Sequence, residues 1–182
     1  GYSKSSHDGR YVLTLSKKED GSSQLNIFEP EQDHRLVRSL EVGQGADKIQ
    51  LSDDDQHVYL SMTGEAGIAH YHFAQGLGEA PAERALIAAG PGSSDGKGHR
   101  SLDAKMGWLL TPNPGDNSSS LIAPDGQAQT LRDGNNPAPV ALGTWNGELN
   151  KAIVGNSASH TLSLFSPGST DIIALSDIGQ GP

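Results

Sequence analysis

Cysteine is absent from this sequence of 182 residues, and its absence limits how the chain can be stabilised. No disulfide bond can brace the fold, and no thiolate can help to hold a metal ion. Any metal site must therefore be built from histidine and carboxylate side chains.

Basic residues are scarce: Lys and Arg number 13 against 22 Asp and Glu, which gives a formal net charge of −9. Proteins that bind nucleic acid need clustered Lys and Arg to neutralise the phosphates. The sequence contains no such cluster. A nucleic-acid partner is therefore not expected, and the acidic balance favours solubility.

Long apolar runs and long helical periods are also missing. No stretch approaches the roughly 20 apolar residues of a membrane-spanning helix, so membrane insertion is not expected. Few windows keep a period of 3.6 without a break at Gly, Pro or Asn. Residues 81–89 could begin as a helical turn after Pro81, but we interpret them as a strand because Gly90, Pro91 and Gly92 follow.

Glycine, by contrast, is abundant, with 23 residues, and there are 10 prolines. Tight turns are indicated where Asp or Asn precedes Gly, because these residues tolerate positive φ. Such pairs occur at residues 8–9, 20–21, 125–126 and 146–147. This composition predicts many short strands joined by turns.

A weak repeat of roughly 45 residues runs through the chain. Residues 43–61 contain a glycine turn, a short apolar strand, an acidic turn and a second apolar strand, and this order returns in residues 133–156. A repeat of this length made only of strands is typical of a β-propeller with one blade per repeat. The sequence therefore predicts an all-β fold, a single β-propeller domain over residues 1–182 with repeats at about 1–43, 44–90, 91–133 and 134–182.

The predicted strands follow these repeats. They cover residues 10–16, 23–29 and 36–42, then 48–52, 57–62, 67–73 and 84–89, then 100–104, 107–111, 119–123 and 128–132, and finally 140–143, 151–155, 161–166 and 171–175. Matching positions in successive repeats predict a buried core that includes Val12, Ile27, Val58, Tyr71, Leu109, Ile153 and Leu164.

Four segments carry a resemblance to a known family. They are residues 6–13 (SHDGRYVL), 51–55 (LSDDD), 58–61 (VYLS) and 153–156 (IVGN). These segments resemble the blade motif of the bacterial propellers of the YVTN-repeat and lactonase-like superfamily, in which a Ser-Pro-Asp-Gly turn precedes a Tyr-Val-x-Asn strand. The resemblance covers the first, second and fourth repeats, is poor in the third, and implies the fold rather than an activity.

The number of repeats leaves three arrangements open. Propellers of that superfamily usually have seven or eight blades, and this chain has four repeats. It could be part of a larger propeller, a compact four-blade ring, or half of a ring shared by two chains. Residues 178–182 repeat the blade-closing turn of residues 42–46, which favours the first or third arrangement. Either one predicts self-association through open blade edges.

Two groups of residues are candidate sites. His70 and His72 lie two apart on a predicted strand and so share a face, which could hold a metal with His57 or His99 as a third ligand. The alternative is that they pack between blades. Asp95, His99 and Arg100 lie in a turn that would surround the mouth of a central channel and could bind a ligand. The alternative there is a solvated loop.

A third group is acidic. Asp53, Asp54 and Asp55, together with Asp8, could bind a hard cation such as Ca²⁺ through carboxylate oxygens. The spacing of an EF-hand loop is absent. The alternative is an acidic turn exposed to solvent.

These features predict a non-catalytic binding or scaffolding propeller of the bacterial envelope, periplasmic or secreted, that presents its blade turns to a protein or a small ligand. No cofactor is predicted. The first alternative, implied by the resemblance, is a lactonase-like hydrolase with a site at the channel mouth. The second alternative is a periplasmic metal-handling protein that uses His70, His72 and His99.

Overall fold

A computed structural model describes residues 2–63, 65, 67–90, 101–132, 134–169 and 171–176. These residues form sixteen β-strands, and none of them lies in a helix. Accordingly, no helix in the described residues is long and apolar enough to cross a membrane. The strands are β1 Ser3–Ser5, β2 Val12–Lys17, β3 Ser22–Glu29, β4 Arg35–Gln44, β5 Ala46–Leu51, β6 His57–Met62, β7 Gly67–His72, β8 Ala85–Ala88, β9 Asp103–Lys105, β10 Trp108–Asn113, β11 Ser118–Ile122, β12 Ala128–Arg132, β13 Pro137–Trp145, β14 Glu148–Asn156, β15 Thr161–Phe165 and β16 Ile172–Leu175.

The strands form four antiparallel sheets, and each sheet contains four strands that are consecutive in the sequence. We name these sheets blade 1 (β1–β4), blade 2 (β5–β8), blade 3 (β9–β12) and blade 4 (β13–β16). The prediction of an all-β propeller with four blades is confirmed. One strand was missed, because β1 is only three polar residues long and becomes a strand by pairing Ser3 to Ser5 with Thr14 to Val12.

Successive blades pack face to face through three clusters of buried apolar side chains. Leu13, Leu25 and Ile27 of blade 1 pack with Ile49, Val58 and Leu60 of blade 2. Tyr59 and Ile68 of blade 2 pack with Leu109 and Ile122 of blade 3. Leu110, Leu121 and Leu131 of blade 3 pack with Leu142, Val154 and Phe165 of blade 4. Each blade thus has a forward face toward the next blade and a backward face toward the preceding one, as strand alternation requires.

The four blades follow one another in an arc from blade 1 to blade 4. Two sheet faces lie at the ends of this arc, namely the backward face of blade 1 and the forward face of blade 4. In the part of the chain that the structure describes, no apolar cluster joins blade 4 to blade 1. The packing that would close a four-blade ring is therefore not formed by these residues.

The predicted core is confirmed at four positions and wrong at three. Ile27, Val58, Tyr71 and Leu109 are buried. By contrast, Val12, Ile153 and Leu164 are only half-buried. All three lie on the end faces of the arc, whereas the prediction assumed that every blade is covered on both sides.

Glycine recurs in the connections between blades because a larger residue would collide with the next blade. A Cβ atom on Gly45 would lie 1.7 Å from Thr63 Oγ1, and one on Gly90 would lie 2.4 Å from Asn113 Nδ2. A Cβ atom on Gly134 would lie 2.4 Å from Ser159 Oγ. This close approach is the physical origin of the glycine turn that marks each repeat in the sequence.

Candidate functional site

The β6–β7 hairpin brings four aromatic side chains to the forward face of blade 2. His57 pairs with His72 and Tyr59 pairs with His70 across the two strands. Directly paired residues of antiparallel strands point to the same side of a sheet. The pair predicted from the sequence, His70 and His72, therefore shares its face with two further rings.

These rings are stacked. The ring centroids of His57 and His72 are 4.4 Å apart with planes 5° from parallel, and those of Tyr59 and His70 are 5.0 Å apart. His57 Nδ1 lies 2.8 Å from His70 Nε2, so one of these nitrogens donates a hydrogen bond to the other. At least one of the two nitrogens must then be unprotonated.

Burial controls the protonation of this cluster. It lowers the pKa of His57 below the ordinary value of 6.5, with a smaller contribution from His72 and an opposing one from the Asp54 carboxylate. Burial also lowers the pKa of His70, assisted by His57 and His72, and it raises the pKa of Tyr59. His57, His70 and Tyr59 are therefore uncharged at neutral pH.

The cluster forms one wall of a cleft of about 500 Å³ between blades 2 and 3. His57, Tyr59 and His70 line it on the blade 2 side, where Ser52, Asp53 and Asp54 lie at its edge. The opposite wall comes from blade 3 and is largely apolar, with Met106, Leu109, Ile122 and Pro124. Both the volume and the mixed lining are those of small-molecule sites.

The acidic turn at the edge of this cleft is held by hydrogen bonds. Asp54 accepts bonds from the Ser52 hydroxyl and from the Gln56 backbone N–H, and the hydroxyl bond is the main reason that the pKa of Asp54 is lowered. Asp53 accepts from the Met106 backbone N–H of blade 3 at 3.2 Å. Asp54 thus fixes the geometry of its own turn, and Asp53 connects that turn to blade 3.

Asp55 connects the same turn to blade 1. It accepts from the His7 backbone N–H at 2.7 Å, and its other oxygen lies 2.7 Å from His7 Nδ1. Among the described residues, these carboxylates do not join other side chains in a group of three that could hold a metal ion. The structural role of the acidic turn is therefore supported over the Ca²⁺ hypothesis.

The remaining predicted site residues fall into two groups. Asp95, His99 and Arg100 lie outside the described residues, so their role in ligand binding stays a prediction. His70 and His72 share a face as predicted, yet the described residues contain no group of three metal-ligating side chains around them.

Sequence reasoning named His57 only as one of two possible third ligands for His70 and His72, and it missed Tyr59. The signal was available in the short loop between β6 and β7, because a hairpin loop fixes which residues stand opposite one another. Counting outward from residues 63–66 pairs His57 with His72 and Tyr59 with His70, as found in the structure.

Comparison with known proteins supports the fold. No family model and no curated protein sequence matches this chain. Solved structures do match it. A functionally unknown protein from Desulfotomaculum acetoxidans DSM 771 has a TM-score of 0.71 at 16% identity, over 98% of this chain and 56% of that one.

Two further structures have names that suggest an activity. A proposed 6-phosphogluconolactonase from Bacteroides uniformis ATCC 8492 has a TM-score of 0.68 at 12% identity, over 96% of this chain and 55% of its own. A streptogramin B lyase has a TM-score of 0.60 at 13% identity, over 91% of this chain and 54% of its own. At these identities the likeness shows the β-propeller fold alone. The chain spans about half the length of the structures that it matches.

Proposed function

We propose that this chain is a non-catalytic binding β-propeller of the bacterial envelope that holds a small molecule in the cleft between blades 2 and 3. The observation that carries the proposal is the wall of stacked, uncharged rings, His57, Tyr59 and His70, which faces an apolar wall from blade 3. The described residues of this site offer ring contacts and a few hydrogen-bonding groups to a ligand.

The lining of the cleft indicates the chemistry of its ligand. Among the residues that the structure describes, the charged side chains that line it are Asp53 and Asp54, and the imidazoles beside them are neutral. An anionic ligand there would be repelled by these carboxylates, and no described residue of the lining supplies a cation to compensate. A ring-containing molecule that is uncharged or weakly basic suits the site best, since it can contact the apolar wall and exchange hydrogen bonds with imidazole.

The proposal is tested with benzimidazole, indole and benzoate as probes in ligand-observed NMR. Benzimidazole and indole should bind and benzoate should not. The double variant His57→Gln/His70→Gln should weaken binding about tenfold or more, which corresponds to roughly 1.4 kcal/mol. His34→Asn is the matched control, because His34 is exposed in another blade. Binding that is unchanged in the double variant would reject the cleft as the site.

A lactonase-like hydrolase is the second candidate. Its support is the likeness of the fold to the Bacteroides protein proposed as a 6-phosphogluconolactonase, together with the predicted set Asp95, His99 and Arg100. A phosphorylated lactone is anionic, so it fits the acidic edge of the cleft poorly and would need the channel-mouth residues instead. Hydrolysis of 6-phosphogluconolactone that is lost in His99→Gln would favour this candidate.

We also propose that the protein resides in the bacterial envelope, either in the periplasm or as a secreted protein. A chain without cysteine is compatible with an oxidising compartment, since no thiol is exposed to oxidation there. Fractionation of the native bacterial cells should recover the protein with periplasmic or secreted markers. Recovery with cytosolic markers would contradict the location and leave the cleft argument unchanged.

A further inference from the structure

The contact between His57 and His70 limits the number of protons that the aromatic wall of the cleft can hold. His57 Nδ1 and His70 Nε2 lie 2.8 Å apart, and a hydrogen bond between them needs one nitrogen that donates and one unprotonated nitrogen that accepts. If both imidazoles are protonated, two N–H groups face each other and neither has an acceptor. The contact therefore holds at most one proton on these two nitrogens.

Two protonated rings would also repel each other at this distance. The ring centroids of His57 and His70 are 5.1 Å apart, and those of His57 and His72 are 4.4 Å apart. Like charges this close disfavour one another. The Asp54 carboxylate opposes the effect only partly, because it already accepts hydrogen bonds from the Ser52 hydroxyl and the Gln56 backbone N–H.

The elements around the pair supply little compensating charge. The side chains with which blade 3 lines the cleft do not titrate. Charged or titratable neighbours in the surrounding strands and turns include Asp53, Asp54, Asp55, Tyr59, His72, Glu83, Arg84, Lys105 and Asp125. Each carboxylate of the acidic turn already accepts hydrogen bonds. The Arg84 guanidinium is paired with Glu65, and Lys105 Nζ donates to the Leu142 carbonyl of blade 4.

We propose that the contact between His57 and His70 is a proton-operated gate, which is closed at neutral pH and opens to release the ligand of the cleft when both imidazoles are protonated. This inference rests on the proposed function, because it concerns the same cleft. Both rings line the cleft, so their separation changes the shape of its wall.

The opposite wall cannot follow such a movement. Leu109 and Ile122 of blade 3 are buried in the apolar cluster between blades 2 and 3. The Met106 backbone N–H is bonded to the Asp53 carboxylate, which fixes the edge of the cleft. A ring-containing ligand that contacts both walls therefore loses its contacts on the blade 2 side when the gate opens.

The geometry also sets how steeply the affinity depends on pH. The open form can hold at least one proton more than the closed form, because its two nitrogens no longer share a hydrogen bond. Once the open form is fully protonated, the closed fraction falls about tenfold for each further pH unit. The apparent Kd of a ligand that binds only the closed form rises by the same factor.

The test uses indole as the probe, because indole carries no charge in this pH range. Its affinity is measured by ligand-observed NMR in steps from about pH 7.5 to 5.0, with circular dichroism confirming at each step that the chain stays folded. We expect a constant affinity above pH 6.5, the ordinary pKa of histidine, and a progressive loss below it.

His57→Gln tests the gate itself. A glutamine amide can both donate and accept, so it can bond His70 in either protonation state. Whatever the affinity of this variant at pH 7.5, its dependence on pH should be flatter than that of the original chain. His7→Asn is the matched control, because the exposed His7 bonds Asp55 of the same acidic turn and does not line the cleft. It should retain the dependence.

A second measurement follows the protons directly. Binding and protonation are reciprocally linked, so saturating indole should lower the pH at which the ring signals of His57 and His70 titrate. Several results would overturn the gate: an affinity that is constant down to pH 5.0, an equal pH dependence in His57→Gln, its loss in His7→Asn, or titration that indole does not move. Each of these leaves the proposed function standing if indole binds at pH 7.5. Absence of binding at every pH would reject the gate and the proposed function together.

Discussion

His57 and His70 are the residues in which local packing and chemistry are most directly connected. Their nitrogens are within hydrogen-bonding distance, and their rings stack between Tyr59 and His72. Burial makes the charged imidazolium unfavourable at both positions. At the scale of single residues, the cluster is therefore both a binding surface and a source of pH dependence.

Stability should fall as pH decreases through the range in which histidine titrates. Because the pKa values of His57 and His70 lie below 6.5 in the folded chain, the unfolded chain binds more protons as the pH falls. The contribution of the neutral His57 and His70 to the stability of the folded chain is complete above pH 6.5. It is lost as the pH falls through their lowered pKa values. Denaturant unfolding at several pH values between about 7.5 and 4.5 should show this slope.

The variant His57→Gln/His70→Gln should flatten that slope, and His34→Asn should retain it. Both variants should lose further stability at still lower pH, because hydrogen bonds lower the pKa of carboxyl groups such as Asp8 and Asp54 in the folded chain. An unchanged slope in the double variant would show that the cluster does not control the pH dependence.

Zinc should not copurify at one ion per chain. A catalytic zinc site needs three protein ligands and a structural site needs four. The described residues contain no group of three suitable side chains, even though His57 joins the predicted pair. A chelator should leave the melting temperature unchanged. Stoichiometric zinc that disappears when His70 and His72 are both changed would move metal handling to first place.

At the scale of elements, the sheet faces decide which aliphatic side chains carry stability. Leu110 and Ile153 hold equivalent positions in blades 3 and 4, because each lies three residues before an asparagine, Asn113 or Asn156, whose Nδ2 donates to hydroxyls five and seven residues later. Among the described residues, a following blade covers Leu110 but not Ile153. Substitutions at these two positions therefore distinguish the stability that comes from packing between blades from the stability that comes from the strand itself.

Leu110→Ala should cost about 2–5 kcal/mol of unfolding free energy, which is typical of a fully buried leucine. Ile153→Ala should cost roughly half as much, in proportion to the area that it buries. Both are measured by urea unfolding at low protein concentration, so that self-association does not contribute. Equal costs would show that Ile153 is covered within the single chain.

The connections between blades make a second element-scale prediction. Gly90→Ala should destabilise the chain by about 1–3 kcal/mol, because the new Cβ would press on the buried Asn113 amide, which bonds Ser118 and Ser120. Gly143→Ala is the control, since its Cβ would meet atoms only at an ordinary 3.7 Å. Thermal unfolding of both variants compares them, and an equally stable Gly90→Ala chain would refute the packing argument.

The elements also show how far the sequence predicts this structure. Most strands followed from alternating apolar residues bounded by turns, since that pattern is a local property of each repeat. Ser3–Ser5 lacks any apolar pattern and depends on its partner strand, so it was missed. Burial of Ile153 and Leu164 depends on a neighbouring blade, which no local pattern encodes. The histidine cluster required the register of a hairpin in addition to the spacing along one strand.

At the scale of the whole molecule, four blades form an arc in which the cleft lies between two blades rather than within one. Blade 2 supplies the aromatic wall and blade 3 the apolar wall, while Asp53 and Asp55 hold the turns of blades 1, 2 and 3 together. The cleft therefore depends on packing between repeats. The chain spans about half the length of the solved structures that share its fold.

The most direct test of the central claim is to map where a ligand binds. In ¹H–¹⁵N spectra of the chain, saturating benzimidazole should shift the side-chain signals of His57 and His70 and the backbone signals of Met106 and Leu109. These residues lie on opposite walls of the cleft. Shifts confined to residues 95–100, with the cleft signals unmoved, would contradict the account and favour a site at the channel mouth.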